Sequence, residues 1–429
     1  MATTRSFGDM LNEYLAEDLF MNDLLGRDYL LSNCKKDNTW AGGTYVVPFF
    51  GSNASSIAFG SLSGSTDIAE YSAVRGEITT QPEMWGSMLF NDRDFAQHQG
   101  KKREQAFLTN LKDLVPSFVT WAKTALSVVL TAGPHFATVT ADGTVGGLIT
   151  VDRPEMFTKG QKVIFRNTTP ANSIGYVDTV NMSTNVLHIV TARGGVVDDD
   201  LSVMTTALSA KAYFDGTINA GTSAIQNNFT SMRSVLLSLV NGGGATVYGQ
   251  TKTTYPELQA INADGAGITA ANILEKLFYI YSTEVGRKAK FKKTGKSPNT
   301  FLVSEKNFGN ILIAVQNNKG AFYVDPGSQT AKSYYWDKVV IGSTHGMKLE
   351  FVCLPEMDDD IIPCINMETI KFASNNFFKF RENPNRPGEV GYYETRATTG
   401  YSYIVDVAVA GDLVINPPCA NGIVYGISY

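Results

Sequence analysis

Six cations fall within ten residues: Arg287, Lys288, Lys290, Lys292, Lys293 and Lys296. Ammonium and guanidinium groups at that density attract phosphate or carboxylate through contacts that ignore sequence and weaken with salt. The expected partner is an acidic protein or a nucleic-acid backbone. The run also follows a predicted helix, where cations complement the negative C-terminal end; on the sequence alone both readings stand. Phe291 is a single interleaved aromatic, too little for stacking single-stranded bases. The tail Gly295-Lys296-Ser297 ends like a phosphate-binding loop. Lys290 stands where that motif needs its first glycine, and Pro298 favours extended chain at Ser297. A nucleotide site is not expected.

The other reactive residue types give less. Asp198-Asp199-Asp200 and Asp358-Asp359-Asp360 offer the carboxylate oxygens a hard cation takes. They lack EF-hand spacing, and solvated loops are the alternative reading. His98, His135, His188 and His345 are too far apart for a metalloprotease motif. Cys34, Cys353, Cys364 and Cys419 include no Cys-x-x-Cys and suit reduced thiols. No catalytic set emerges, so neither an enzyme nor a cofactor or metal is expected. Arg75 and Glu77, two apart on a predicted strand, point to one face. They would pair with a neighbour's charges or lie on a solvated ribbon.

Composition points toward assembly. Charged residues are 18% of 429, below the roughly 25% of ordinary soluble chains. Surface hidden between copies would account for this, and so would a large β-rich domain. The net charge of −5 opposes a chain devoted to nucleic acid while allowing one local contact. The first 20 residues carry Arg5, Asp9, Glu13, Glu17 and Asp18 without an apolar core. They read as neither signal peptide nor membrane span, and no later run is long enough to cross a bilayer.

These residues must be carried by identifiable elements. Phe7, Met10, Leu11, Tyr14 and Leu15 recur at helical spacing after a capping-box-like Ser6-x-x-Asp9. Gly42–Phe50 reads as a strand, followed by a small-residue tip, Ser52–Ser65, and return strands near Ala73–Thr80 and Glu83–Phe90. A long helix is expected from Asp92 to Thr131, ended by Gly133-Pro134. Short alternating runs separated by turn signals then fill His135–Ser209 and predict a small inserted β-domain. Helices are expected at Asn228–Asn241, Ala270–Gly286 and Ser304–Asn317, with strands at Asn299–Val303, Lys348–Cys353, Ile361–Asn366, Ile370–Phe372 and Phe377–Arg381. Tyr392–Leu413, alternating through Tyr401, Tyr403, Val405, Val407 and Val409, is the clearest strand.

This order of elements resembles the tailed-bacteriophage major capsid protein with the Hong Kong 97-type fold. Trp40-Ala41-Gly42-Gly43-Thr44-Tyr45-Val46-Val47-Pro48-Phe49 looks like the opening of that family's extended loop, and Ser72–Glu83 like its return arm. Gly133–Thr138, Tyr248–Lys252, Glu356–Asp360 and Thr399–Asp406 are further similar stretches. The resemblance implies an α+β capsid fold: arm 1–39, extended β-loop 40–91, spine helix 92–134, inserted β-domain 135–209, peripheral strand 210–226, apical domain 227–374, and peripheral strands with the C-terminus 375–429. It implies self-assembly into pentamers and hexamers of an icosahedral shell around double-stranded DNA. Portal protein, and scaffold or decoration proteins, would be partners; the place would be the virion capsid, assembled in the host cytoplasm, with no membrane. Contacts between subunits would involve Trp40, Phe59, Leu62, Arg75, Glu77, Asn385 and Arg386. Some relatives weld their shells through a lysine in the extended loop. No lysine lies between Lys36 and Lys101 here, so that bond is not expected. An encapsulin-like compartment and a β-rich tail adhesin are the alternatives.

Overall fold

In a computed structural model, the structure describes residues 29–40, 43–50, 73–91, 121–141, 147–166, 172–197, 210–215, 229–290, 297–317, 323–324, 338–342, 348–375, 378–380, 393–397 and 400–428. The predicted N-terminal helix, the tip 52–65 with Phe59 and Leu62, the predicted helix up to residue 120, Asp198–Asp200, His98, His345, and the loop holding Asn385 and Arg386 lie outside them. So do Lys292, Lys293 and Lys296 of the basic run. The chain divides into two units, each assembled from three separate segments: Met1–Ser32, Pro82–Phe229 and Ser374–Gly411 in the first; Asn33–Gln81, Thr230–Ala373 and Asp412–Tyr429 in the second.

In the first unit, the alternating run forms an 11-residue strand, Gly400–Ala410. It pairs antiparallel with Glu83–Asn91 at nine positions, from Ser402↔Asn91 to Ala410↔Glu83. It also pairs with Tyr393–Ala397 and Phe378–Phe380. The helix 121–131 buries Ala125 through Thr131 without a break, so it is enclosed rather than amphipathic. Thr131 Oγ1 donates to Ser127 O at 2.7 Å, a local bond that satisfies a hydroxyl at a buried helix end.

The inserted domain is a closed barrel of six strands: Lys211–Phe214, His135–Ala141, Leu148–Val151, Val186–Val190, Asn172–Asn181 and Lys162–Arg166, in that order around the ring. Val139, Ile149, Val163, Phe165, Val177, Leu187 and Ile189 fill it. This corrects the expected boundary at 209. Lys211–Phe214, assigned from sequence to a peripheral strand, closes the barrel by pairing with both His135–Ala141 and Lys162–Arg166. Without it two edges would stay unpaired. Val128 of the preceding helix belongs to the same core, so the barrel is not self-contained.

The second unit centres on a seven-stranded mixed sheet. Its order is Ile261–Asp264, Gly422–Tyr425, Ile361–Ile365, Thr300–Val303, Lys348–Cys353, Lys338–Gly342, Tyr323–Val324. Two adjacent pairs are parallel, 261–264 with 422–425 and 300–303 with 348–353. The helices Ile273–Ile280 and Glu305–Asn317 contribute Ile273, Leu274, Leu277, Phe308 and Ile311 to the core with Phe301 and Phe351, whose rings stack 4.9 Å apart. A second correction follows. The C-terminus, expected with the peripheral strands, belongs here: Gly422–Tyr425 is an inner strand of this sheet, and Asp412–Ile415 pairs with Ile370–Ala373 beside Lys35–Asp37. The expected strand Tyr392–Leu413 is therefore three strands, Tyr393–Ala397, Gly400–Ala410 and Asp412–Ile415, the last two separated by Gly411, whose φ is 152°. The helix predicted over 228–241 is one turn, Met232–Leu236, then a 3-10 turn, Leu239–Asn241.

Candidate functional site

The base of the extended ribbon is the best-defined candidate surface. Tyr45–Phe50 and Ala73–Ile78 pair from Tyr45↔Ile78 to Phe50↔Ala73. Tyr45, Val47, Phe49 and Ile78 are buried, while Val46, Arg75 and Glu77 face out, the period of two expected of a half-buried ribbon. The buried face rests on the tight hairpin of Thr246–Val247 and Gln250–Thr251. Tyr248 and Gly249 at its tip both have positive φ, 51° and 74°, the combination a two-residue hairpin turn demands. Phe49 stacks on Tyr248 at 5.8 Å. Glu77 N donates to Tyr248 O at 2.8 Å, Gln250 Nε2 to Arg75 O at 2.8 Å, and Asn416 Nδ2 to Pro48 O at 3.0 Å. Gly76 is required by this docking. A Cβ there would lie 2.5 Å from Phe49 Cε2 and 3.0 Å from Tyr248 Cβ. Beneath, the Tyr248 hydroxyl donates to Leu413 O and accepts from Ile415 N at 2.7 Å; burial pushes its ionisation well above the usual phenol range.

The sequence-predicted residues separate clearly. Arg75 and Glu77 are exposed on the outer face and are joined to each other, Nε to Oε1 at 2.9 Å. Trp40 is corrected: at 1% exposure it is enclosed by its own chain, tilted 5.3 Å from the Tyr45 ring, and offers no surface to a neighbour. Tyr45 in turn donates to Asp37 at 2.8 Å. Thr39's hydroxyl, followed by Tyr45 and Lys371, holds the Asp37 carboxyl below the usual range against its partial burial.

Within the basic run, Arg287 and Lys288 are exposed, and Lys288 pairs with Glu284 one turn earlier. Lys290 ends the helix Gly286–Lys290. The acidic run Asp358–Asp360 is occupied by protein groups. Arg233 places Nη1 2.8 Å from Asp358 and Nη2 2.8 Å from Asp360, while Asp359 accepts from Ser304 and lies 4.0 Å from Lys306. Both of the sequence readings, cation site and solvated loop, give way to a cross-linked turn. Among the described residues no group of three or more His, Cys, Asp or Glu is placed to hold a metal ion, and no helix is long and apolar enough to cross a membrane. His188 Nδ1 lies 3.1 Å from Asp178, which also meets Lys159; His135 packs on the Tyr213 ring. A polar cavity of about 500 Å³ is lined by Ser297, Asn299, Thr300, Glu350, Asn366 and Glu368. Glu350 there is paired with Lys338 at 3.0 Å.

Two buried charges escaped the sequence reading. Asp412 is 1% exposed and Lys252 is 4% exposed. The signal for Asp412 was a lone carboxylate inside the apolar run Ala408–Ile415. Lys252, in a polar stretch, gave none.

No family model and no curated protein matches this chain. Several solved structures do match over most of its length. The cyanophage A-1(L) capsid asymmetric unit is 10% identical, covering 95% of this chain and 93% of that one, with a TM-score of 0.46. The capsid of Myoviridae phage XM1 is 7% identical over 93% and 91%, at 0.40. A virus-like particle from Pyrococcus furiosus is 7% identical over 96% and 99%, at 0.39. At these identities and scores the likeness is one of outline.

Proposed function

We propose that this chain is a structural shell protein, a major capsid protein of the Hong Kong 97 type, whose copies close into pentamers and hexamers around double-stranded DNA. The observation that carries this reading is the nine-position pairing of Glu83–Asn91 with Gly400–Ala410. It joins the strand leaving the extended ribbon to the long late strand. Further support comes from the ribbon. Its base is anchored by a buried face, while Val46, Arg75 and Glu77 are left on the outer one. A ribbon held at its root and displaying an outer face suits contact with another copy. No catalytic role is assigned. The mechanism is burial of ribbon and domain surfaces between copies, at roughly 25 cal/mol per Å² of apolar area, offset by association entropy. Individually modest contacts let misplaced subunits leave, and closed symmetry retains the rest.

Electron microscopy of the purified protein tests this. Closed shells with pentameric and hexameric clusters are expected. Shells carrying an enzyme cargo instead of DNA would favour a protein compartment, and a monomer or trimer at assembly concentrations would overturn the shell reading.

A further inference from the structure

The chain enters its second unit at Thr230 and, 182 residues later, at Asp412. The Asp412 carboxylate ties these two entries together. Its Oδ1 accepts from Thr230 N at 2.6 Å and Leu413 N at 2.9 Å, and its Oδ2 from Thr230 Oγ1 at 2.7 Å. Next comes the Ser231 cap, whose side chain accepts from Ser234 N, and the single turn Met232–Leu236. At the far end Lys252 reaches back. Its Nζ donates to Ser234 O and Leu237 O, each at 2.6 Å, carbonyls that a helix end leaves without internal partners. Asp412 and Lys252 thus grip opposite ends of one short segment, and neither is neutralised by an opposite charge among the described residues. A lone charge held out of water is costly, and the group responds by favouring its neutral form.

We propose that the segment from Thr230 to Lys252 is a pH-sensitive connector, clamped at each end by the hydrogen bonds of a buried ionisable side chain and released most readily near neutrality. Burial raises the Asp412 carboxyl to about 7 and lowers the Lys252 ammonium to about 8. Asp412's folded value lies above its unfolded one, so its stabilising contribution is complete below about pH 4 and is lost as pH rises through 7. Lys252's folded value lies below its unfolded one, so its contribution is complete above about pH 10 and is lost as pH falls through 8. Between those values both groups are ionised and the segment is held least. Among the described residues, the other titratable or charged groups facing it are Tyr248, beside Asp412 with Tyr45 beyond, and Arg233 on the turn with Asp358 and Asp360. Burial keeps Tyr248 neutral and Arg233 stays charged, so neither supplies a transition near pH 7.

Hydrogen exchange on the purified full chain at pH 5.5, 7.5 and 9.0, corrected for intrinsic rates, reads the connector directly. Opening of 230–252 at pH 7.5 should exceed that at 5.5 and at 9.0 by about tenfold each, while Thr300–Val303 should hold constant. Asp412→Asn, which preserves shape and can still bond Thr230, should remove the acid-side difference alone. Lys252→Met should remove the alkaline-side difference alone. Should Lys252→Met fail to fold, the Asp412→Asn comparison decides by itself. Equal opening of the wild-type segment at the three pH values, or an acid-side difference that survives Asp412→Asn, overturns the proposal. The experiment reads a single subunit, so its outcome is separate from whether copies form shells.

Discussion

Arg233 shows how one side chain can settle the reading of a whole motif. Its planar fork meets two carboxylates of the Asp358–Asp360 turn at once, with 22% of the side chain exposed. Arg233→Ala would leave both acids facing a partly desolvated gap, and chemical denaturation should register a loss of about 2–3 kcal/mol. Arg233→Lys should recover only part of it, because a compact ammonium cannot bridge both acids. A loss below about 0.5 kcal/mol for the alanine variant would mean the turn is held instead by Ser304 and by Asn307, whose Nδ2 donates to Asp359 O at 3.0 Å. Tyr248→Phe isolates another contact: removing a fully buried hydroxyl that joins Leu413 and Ile415 should cost about 1–2 kcal/mol. Such sites were hardly legible beforehand. Asp358–Asp360 stood out as a charge run, but the residue that occupies it lies 125 positions upstream, and linear spacing holds no trace of that pairing.

Elements were legible where the pattern was local. The ribbon strands, the barrel strands and Gly400–Ala410 all alternate, and Gly- and Asp-rich turns separate the barrel strands. What failed was one short buried strand late in the chain, although the buried strands Thr300–Val303 and Ile361–Ile365 were legible. Gly422–Tyr425, buried at three of four positions, alternates with nothing and passed for a tail. Lys211–Phe214 was seen as a strand but given to the wrong sheet, since pairing across 73 residues (Lys211 with Thr138) depends on closure of the barrel. The shared strand and core decide what excision of the barrel would do. Replacing 135–209 by a linker should leave Lys211–Phe214 and Val128 without their core partners, and Phe214 without the Phe136 ring stacked on it at 4.2 Å. Circular dichroism and limited proteolysis should then show the host unit disturbed, not intact. For the ribbon, Gly76→Ala must displace Phe49 or Tyr248. Proteolysis within 45–78 should quicken several-fold while the seven-stranded sheet persists; unchanged protection would show that the hairpin yields without loss.

At the scale of the whole molecule, the shell proposal predicts a division between folding and assembly. Deleting Ser52–Ser65 should leave a folded subunit that forms no stable shells in electron micrographs; normal shells would remove the ribbon tip from the interface. With no lysine between Lys36 and Lys101, boiling assembled material in detergent should give one band near 46.6 kDa, whereas a ladder persisting under reducing conditions would reveal covalent welding. The α+β class was readable at this scale because runs of both helical and alternating period occur along the chain.

The inner position of Gly422–Tyr425 makes folding a matter of timing. This strand sits between Ile261–Asp264 and Ile361–Ile365, bonded to both. On the ribosome the N-terminal parts emerge first, yet the second unit's sheet stays split, with two open edges, until residues 422–425 arrive. A nascent chain stalled before that point would display unpaired strands of the kind that recruit chaperones. Any contact between copies that the shell proposal requires would then wait on this late strand, which completes the sheet only after the strands on either side of it have been made.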